Sequence, residues 1–268
     1  MKTIKKIQYY MVPILLLIVS FATVFSQTIW VDEAYSLELA KHSYMNLIKI
    51  DALDVHPPLY YIILRTGFLI FGVSENFIWI GRFVSLVPYV ILMIIGFTVI
   101  KKRYSKTIAY LFNVFIMGMP QMLRYSTEIR MYSWGMLFVT CAFLQMKPIV
   151  EKNKFKSYVM LTLFSALASY THYFACVSAI VIYAEIILMF FRKKQKVDLD
   201  AKFKEVYHEV NKITADAGNE LDVTIKYSQL KLACRKYDEL IDLIHRGANF
   251  EEKHFLSLKE SVEEETKR

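Results

Sequence analysis

"HPPLYYIILRTGFLIFG", residues 56 to 72, decides how many times this chain crosses a membrane. The run is apolar, but it is shorter than the ~20 residues a crossing helix needs, and Arg65 sits in its middle. Six other apolar runs surround it, beginning near residues 8, 77, 107, 131, 157 and 173, the last ending at 191. Lys and Arg cluster in "MKTIKK" (1–6), "KKRYSK" (101–106), "KPIVEKNKFK" (147–156) and "RKKQK" (192–196). The excess of Lys and Arg in cytoplasmic loops requires all four clusters on one side. They fall there only if residues 56–72 lie in the outer interface instead of crossing, a placement that also suits Arg65. The expectation is therefore six spans, with an outer loop from about Gln27 to Asn76.

Composition agrees with a membrane protein. Of 268 residues, 55% are hydrophobic and 15% aromatic, with a net charge of +8, and the mean hydropathy is +0.32. A soluble globular domain does not normally combine these values. The apolar residues stop after "FRKKQK", which divides the chain into a membrane part, 1–196, and a polar tail, 197–268. "MKTIKK" followed by an apolar core has the form of a signal peptide, but the run approaches span length and lacks a clear small-x-small cleavage site. An uncleaved first span with a cytoplasmic N-terminus is expected. Cys141, Cys176 and Cys234 show no disulfide framework and no zinc spacing.

This path brings three outer segments to one face: "WVDEAYSLEL" (30–39), "RYSTEIRMYS" (124–133) and "SYTHYF" (169–174), the last at the tip of a tight hairpin near Thr171 and His172. Asp32, Glu33, His56, Glu128, Arg130 and His172 can then share a site. Each also has a plainer reading. Asp32 can cap an amphipathic helix carrying Ala34, Leu37, Tyr44, Leu47 and Ile48, and Glu33 can be a solvated acid in its first turn. Pro57 and Pro58 start a helix and stiffen the approach to His56. Glu128 and Arg130 can snorkel at a boundary, where Tyr125, Tyr132 and Trp134 fit an aromatic belt. Arg82, near the outer end of an apolar span, needs water, a partner or a phosphate.

"WVDEAYS", "DVHPPLYYIIL", "IGRFVSL", "YSTEIRMYSW" and "THYFA", in this order and spacing, resemble the N-terminal half of the GT-C membrane glycosyltransferases. The bacterial relatives of protein O-mannosyltransferase and of the lipid A aminoarabinose transferase are the nearest branch. The resemblance covers residues 8 to about 191. It implies an all-α polytopic membrane protein that moves a hexose or pentose from a polyprenyl-phosphate donor to a glycan, lipid or protein acceptor outside the cell membrane, with inversion at the anomeric carbon. By resemblance, Asp32 and Glu128 are the catalytic acids, while Glu33, His56, Arg82, Arg130, Tyr132 and His172 contact substrate. Some members carry a divalent metal near the acids, which Asp32 and Glu128 would hold here; no other cofactor is implied. Family members usually continue with further spans, so a truncated or inactive copy is a second expectation.

The tail repeats Phe203, Val206, Tyr207, Val210 and Ile213 at helical spacing, breaks at "TADAGNE", resumes at "YSQLKLACRKYDELIDLIH" and ends in "FEEKHFLSLKESVEEETK". A small cytoplasmic helical bundle is expected, without the basic and aromatic interleaving of a nucleic-acid binder. Two other classes remain open. One is a non-catalytic membrane scaffold whose tail binds a partner. The other is a transporter or channel, disfavoured because Glu185 is the sole carboxylate inside the expected spans.

Overall fold

The computed structural model describes residues 6–25, 28–54, 56–72 and 77–267. The basic start "MKTIK" and the outer-loop ends at Gln27 and at 73–76 lie outside the described residues. Every regular element among the described residues is helical: α1 (Lys6–Thr23), α2 (Val31–Lys41), α3 (Tyr44–Asp51), α4 (Leu59–Phe71), α5 (Phe77–Ile95), α6 (Lys101–Arg103), α7 (Lys106–Gly118), α8 (Pro120–Tyr125), α9 (Tyr132–Phe143), α10 (Met146–Lys152), α11 (Phe155–Ser169), α12 (Tyr173–Asn219), α13 (Val223–His245) and α14 (Glu252–Lys267). A π-helical turn, Gly96–Ile100, joins α5 to α6. The protein is an all-α membrane protein.

Among the described residues, three helices are long and apolar enough to cross a membrane, Phe77–Arg103, Tyr132–Lys152 and Tyr173–Asn219, and four apolar helices are shorter, Ile7–Thr23, Lys106–Gly118 and Phe155–Ser169 among them. Lys106–Gly118 ends where Pro120 removes a backbone donor, and α8 resumes from that proline as its first residue. Length alone therefore supports three crossings, and the six-span path rests on the charge pattern.

The fourth short helix is α4. Pro58 stands at its start and Gly72, at φ 82°, ends it. At 1.5 Å per residue its 13 residues reach about 20 Å, short of the ~30 Å hydrocarbon layer. It packs against α2, α3 and α5. Tyr60, Tyr61, Leu64 and Phe68 join Leu37, Leu47, Val84, Ile129 and Met131 in one buried cluster. Gly67 allows the approach to α5, because a Cβ there would lie 2.5 Å from Val84 Cγ2. Arg65 turns back onto α2, donating to the carbonyls of Ala40 (3.4 Å) and Lys41 (3.0 Å), where a cation complements the negative end of a helix dipole. The arginine that marks this segment in the sequence thus fastens two loop helices together.

The chain forms two compact units, 1–185 and 186–268. In the second, Phe203, Val206, Val210, Tyr237, Leu240, Leu243, Ala248 and Phe255 make the core, with Phe203 and Phe250 stacked 3.8 Å apart. The break expected at "TADAGNE" falls at the end of that stretch, since α12 runs to Asn219. Ala215 and Ala217 favour helix, and one glycine in a last turn costs only ~1 kcal/mol. Asp222 then caps α13, its Oδ1 accepting from the amides of Thr224 (2.8 Å) and Ile225 (3.2 Å).

Candidate functional site

The first turn of α2 carries Asp32 and Glu33 to opposite sides. Trp30, in extended conformation, is the N-cap, so Asp32 does not cap the helix. Successive helical residues are about 100° apart, and here that rotation separates an exposed acid from a buried one. The Asp32 side chain is 43% exposed and that of Glu33 only 5%. Glu33 is therefore not a solvated first-turn acid. Its Oε1 accepts from the Ile129 amide at 2.9 Å and its Oε2 from the Trp30 amide at 3.3 Å, tying the 124–133 segment to the start of α2.

Arg82 stands behind Glu33, its Nη2 at 3.9 Å from Oε2. Its Nη1 donates to the Thr23 carbonyl at 2.8 Å and its Nη2 to that of Thr28. The charge in the second turn of α5 is thus held by the Thr23 carbonyl at the end of α1, by the Thr28 carbonyl and by Glu33. Around this pair lies a cavity of about 450 Å³, lined also by Trp30, Arg124, Thr127 and Glu128. Glu128 is buried, and burial raises its carboxyl pKa, with the Glu33 charge adding to the shift and Arg124 and Arg130 opposing it. Arg124 Nε lies 3.4 Å from Glu128 Oε2 while its guanidinium stacks over Trp30, 5.5 Å from the ring centre. Its side chain is 61% exposed, which leaves most of its donors facing outward.

On the other side of α2 stands Arg130, buried to 4% exposure. Its Nη2 lies 3.7 Å from Asp32 Oδ2 and donates to His56 Nε2 at 3.1 Å, while Nη1 reaches Ser36 Oγ at 3.4 Å and the Asp32 carbonyl at 3.5 Å. Arginine can only donate, so His56 accepts at Nε2 and carries its proton on Nδ1, which faces Asp54 Oδ2 at 3.3 Å. Asp54, His56, Arg130 and Asp32 form a continuous chain of polar contacts. His172 closes it from the hairpin tip, its ring centre 6.3 Å from that of His56 and 5.6 Å from that of Tyr132. Burial lowers the His172 pKa, and His56 and Arg130 lower it further. The Leu59 amide, donating to the Tyr170 carbonyl at 3.0 Å, ties the start of α4 to this tip.

The eight residues singled out in the sequence thus fall in two contact groups: Glu33, Arg82 and Glu128 in one, and Asp32, His56, Arg130, Tyr132 and His172 in the other. The cavity lined by Glu128, Glu33 and Arg82 does not include Asp32. Among the described residues no group of three or more His, Cys, Asp or Glu side chains is arranged to hold a metal ion. The residues present do not fit a divalent ion bridging Asp32 and Glu128.

The sequence from residue 55 to 202 matches the family model of dolichyl-phosphate-mannose-protein mannosyltransferases, more than half of the chain. The chain belongs to that family. It is a membrane glycosyltransferase of GT-C type. No curated protein and no solved structure matches the chain. The mannosyltransferase-family match takes in His56, Arg82, Glu128, Arg130, Tyr132 and His172, whereas Asp32 and Glu33 lie ahead of it.

Three residues of this family member's site were not singled out in the sequence. Arg124 was signalled by its place four residues before Glu128, the spacing of helical ion pairs. Asp54, two residues before His56, carried no such signal, nor did Asp51. Asp51 is buried, and its Oδ1 has no hydrogen-bond partner among the described residues. Burial, with the Asp54 charge behind it, pushes its carboxyl up to about 6 from 3.8. Because the folded pKa is the higher one, the folded state holds this proton across that window while the unfolded state has lost it. The contribution to stability is fully present below pH 3.8 and is lost as pH rises through about 6. Asp51→Asn is therefore expected to raise the thermal midpoint above about pH 7 and to leave it unchanged near pH 4, read by denaturation scans of both proteins across that range.

Proposed function

We propose that the chain transfers a sugar from a polyprenyl-phosphate donor to an acceptor on the outer face of the membrane. The observation that carries this reading is an exposed carboxylate, Asp32, held 3.7 Å from the buried Arg130, two residues along from Trp30, over whose ring the exposed Arg124 guanidinium stacks. Transfer needs a base within hydrogen-bond reach of the acceptor and positive charge at the leaving phosphate. In the proposed step Asp32 takes the proton of an acceptor hydroxyl, whose oxygen bonds to the anomeric carbon as the bond to the phosphate oxygen breaks. Polyprenyl phosphate leaves with the electron pair. The displacement is single and in line, so the anomeric centre inverts.

Arg130 and Arg82 act as positioning residues in this reading, since their terminal Nη donors are engaged by Asp32, Ser36, His56, Glu33 and backbone carbonyls, and only their buried Nε groups lack a partner among the described residues. Arg124 has donors left, and a planar guanidinium grips phosphate oxygens in pairs. Glu128 holds it from beneath. Beside it an apolar cavity of about 370 Å³, lined by Tyr89, Met122, Tyr125, Tyr132, Met136 and Val139 among others, has the character an isoprenoid chain requires. The family's description names a dolichyl-phosphate donor and a protein acceptor. The sugar and acceptor of this chain are left to experiment.

The test is release of free polyprenyl phosphate by the purified chain in proteoliposomes supplied with polyprenyl-phosphate hexoses and pentoses. Wild-type protein is expected to release it from at least one donor, and Arg124→Gln to raise KM for that donor tenfold or more. If no donor is consumed and cells lacking the protein are restored by Asp32→Asn as well as by wild type, the chain is a non-catalytic scaffold.

A further inference from the structure

The opposite end of the membrane unit holds a second polar cavity, of about 560 Å³. Lys102 and Arg103, at the end of the helix that begins at Phe77, meet Lys147, Glu151 and Lys152 of α10, and Lys154 follows at the turn into α11. From Arg82 to Arg103 the chain climbs roughly 30 Å at 1.5 Å per residue, about the thickness of the hydrocarbon layer. The two sites therefore belong to opposite leaflets.

Five cations and one carboxylate line this cavity. Two of the cations are engaged within the protein: Arg103 donates to the Leu144 carbonyl, and Lys147 lies 3.7 Å from Glu151 and 5.4 Å from the centre of the Tyr104 ring. Lys102, Lys152 and Lys154 have no acidic partner among the described residues. Their convergence is built by the backbone. Asn153, in the left-handed region at φ 46°, makes the tight turn between α10 and α11, and its Oδ1 accepts from the Tyr158 hydroxyl at 2.9 Å. Lys152 and Lys154 flank that turn, and Ser157, 7% exposed, lies at the cavity floor. Like charges held together in this way repel, and an anion relieves the repulsion.

The surroundings suggest which anion. Phe155, the first residue of α11 beside the cationic turn, is 82% exposed, and Phe143, the last residue of α9, is 49% exposed. Aromatic rings at this depth sit among glycerol and upper acyl groups, a setting that a soluble phosphate does not use. We propose that this cavity binds the headgroup phosphate of an anionic phospholipid in the leaflet opposite the candidate transferase site, with Lys102, Lys152 and Lys154 as its ligands. The bound lipid would hold the turn between α10 and α11 to the end of α6 and so fix α9, whose other end carries Tyr132.

The experiment is native mass spectrometry of the full chain released from detergent micelles, titrated with phosphatidylglycerol, with phosphatidylcholine or with inorganic phosphate. Phosphatidylglycerol is expected to be retained at least tenfold more tightly than phosphatidylcholine, and inorganic phosphate to compete poorly. Combining Lys102→Gln, Lys152→Gln and Lys154→Gln should weaken that retention about a hundredfold, each lysine near a membrane surface contributing about fivefold. The matching triple change to arginine should preserve it and shows that loss in the glutamine variant is not misfolding. Lys212→Gln, Lys231→Gln and Lys253→Gln together, in the tail, should have no effect. Equal retention by wild type and the glutamine variant overturns the assignment. Displacement of the lipid by inorganic phosphate at comparable concentration also overturns it, in favour of a free-phosphate site.

Discussion

Asp32→Asn is expected to lower sugar transfer by about 10²–10⁴-fold, the range by which a positioned general base contributes, with expression and thermal midpoint unchanged. The substitution keeps the shape of the side chain and an oxygen that can accept from Arg130. What it removes is the capacity to take a proton. The fold has little reason to respond, because the side chain is 43% exposed and the Arg130 contact to this residue also includes its backbone carbonyl. Ser36, one turn on, donates to that same carbonyl at 2.9 Å, so the turn is held without the carboxylate. Initial rates on the donor identified in proteoliposomes, at saturating acceptor, measure the effect. Transfer at the wild-type rate would remove Asp32 from the chemistry and leave Arg130 a structural partner.

The sequence made the class of the protein legible, because span-length apolar runs and clustered lysines report solvent preference residue by residue. It also made most of the site legible. His56 before two prolines, and Arg82 in an apolar span, are each chemically costly where they stand. The relation between Asp32 and Glu33 was not legible. Adjacent carboxylates have the same composition signal, and which one is buried depends on where α2 begins. That start is set by Trp30, a residue outside the preferred capping set, with Glu33 reaching back to its amide. Nor could spacing foretell that Arg82 would donate to carbonyls 59 and 54 residues earlier in the chain. Long-range partners of a buried charge are a property of packing, and one sequence carries no local trace of them.

Glu33→Ala should therefore be the most destabilising single change in this region, costing about 3–5 kcal/mol as the removal of one partner from a buried ion pair does. Arg82 would keep its two carbonyls but lose the only carboxylate within 4 Å among the described residues. The amides of Ile129 and Trp30 would lose their acceptor at the same time, and the 124–133 segment that carries Arg124, Glu128 and Arg130 would come loose from α2. The thermal midpoint of the purified chain in detergent is expected to fall on the order of 10 °C. Adding Arg82→Met should recover part of that loss, because an apolar side chain does not need the missing charge. Glu33→Gln should fall between, since its amide oxygen can still accept from Ile129. A Glu33→Ala protein that melts with the wild type would show that the pair does not hold the segment, and Glu33 would then belong with Asp32 among the groups free to meet substrate.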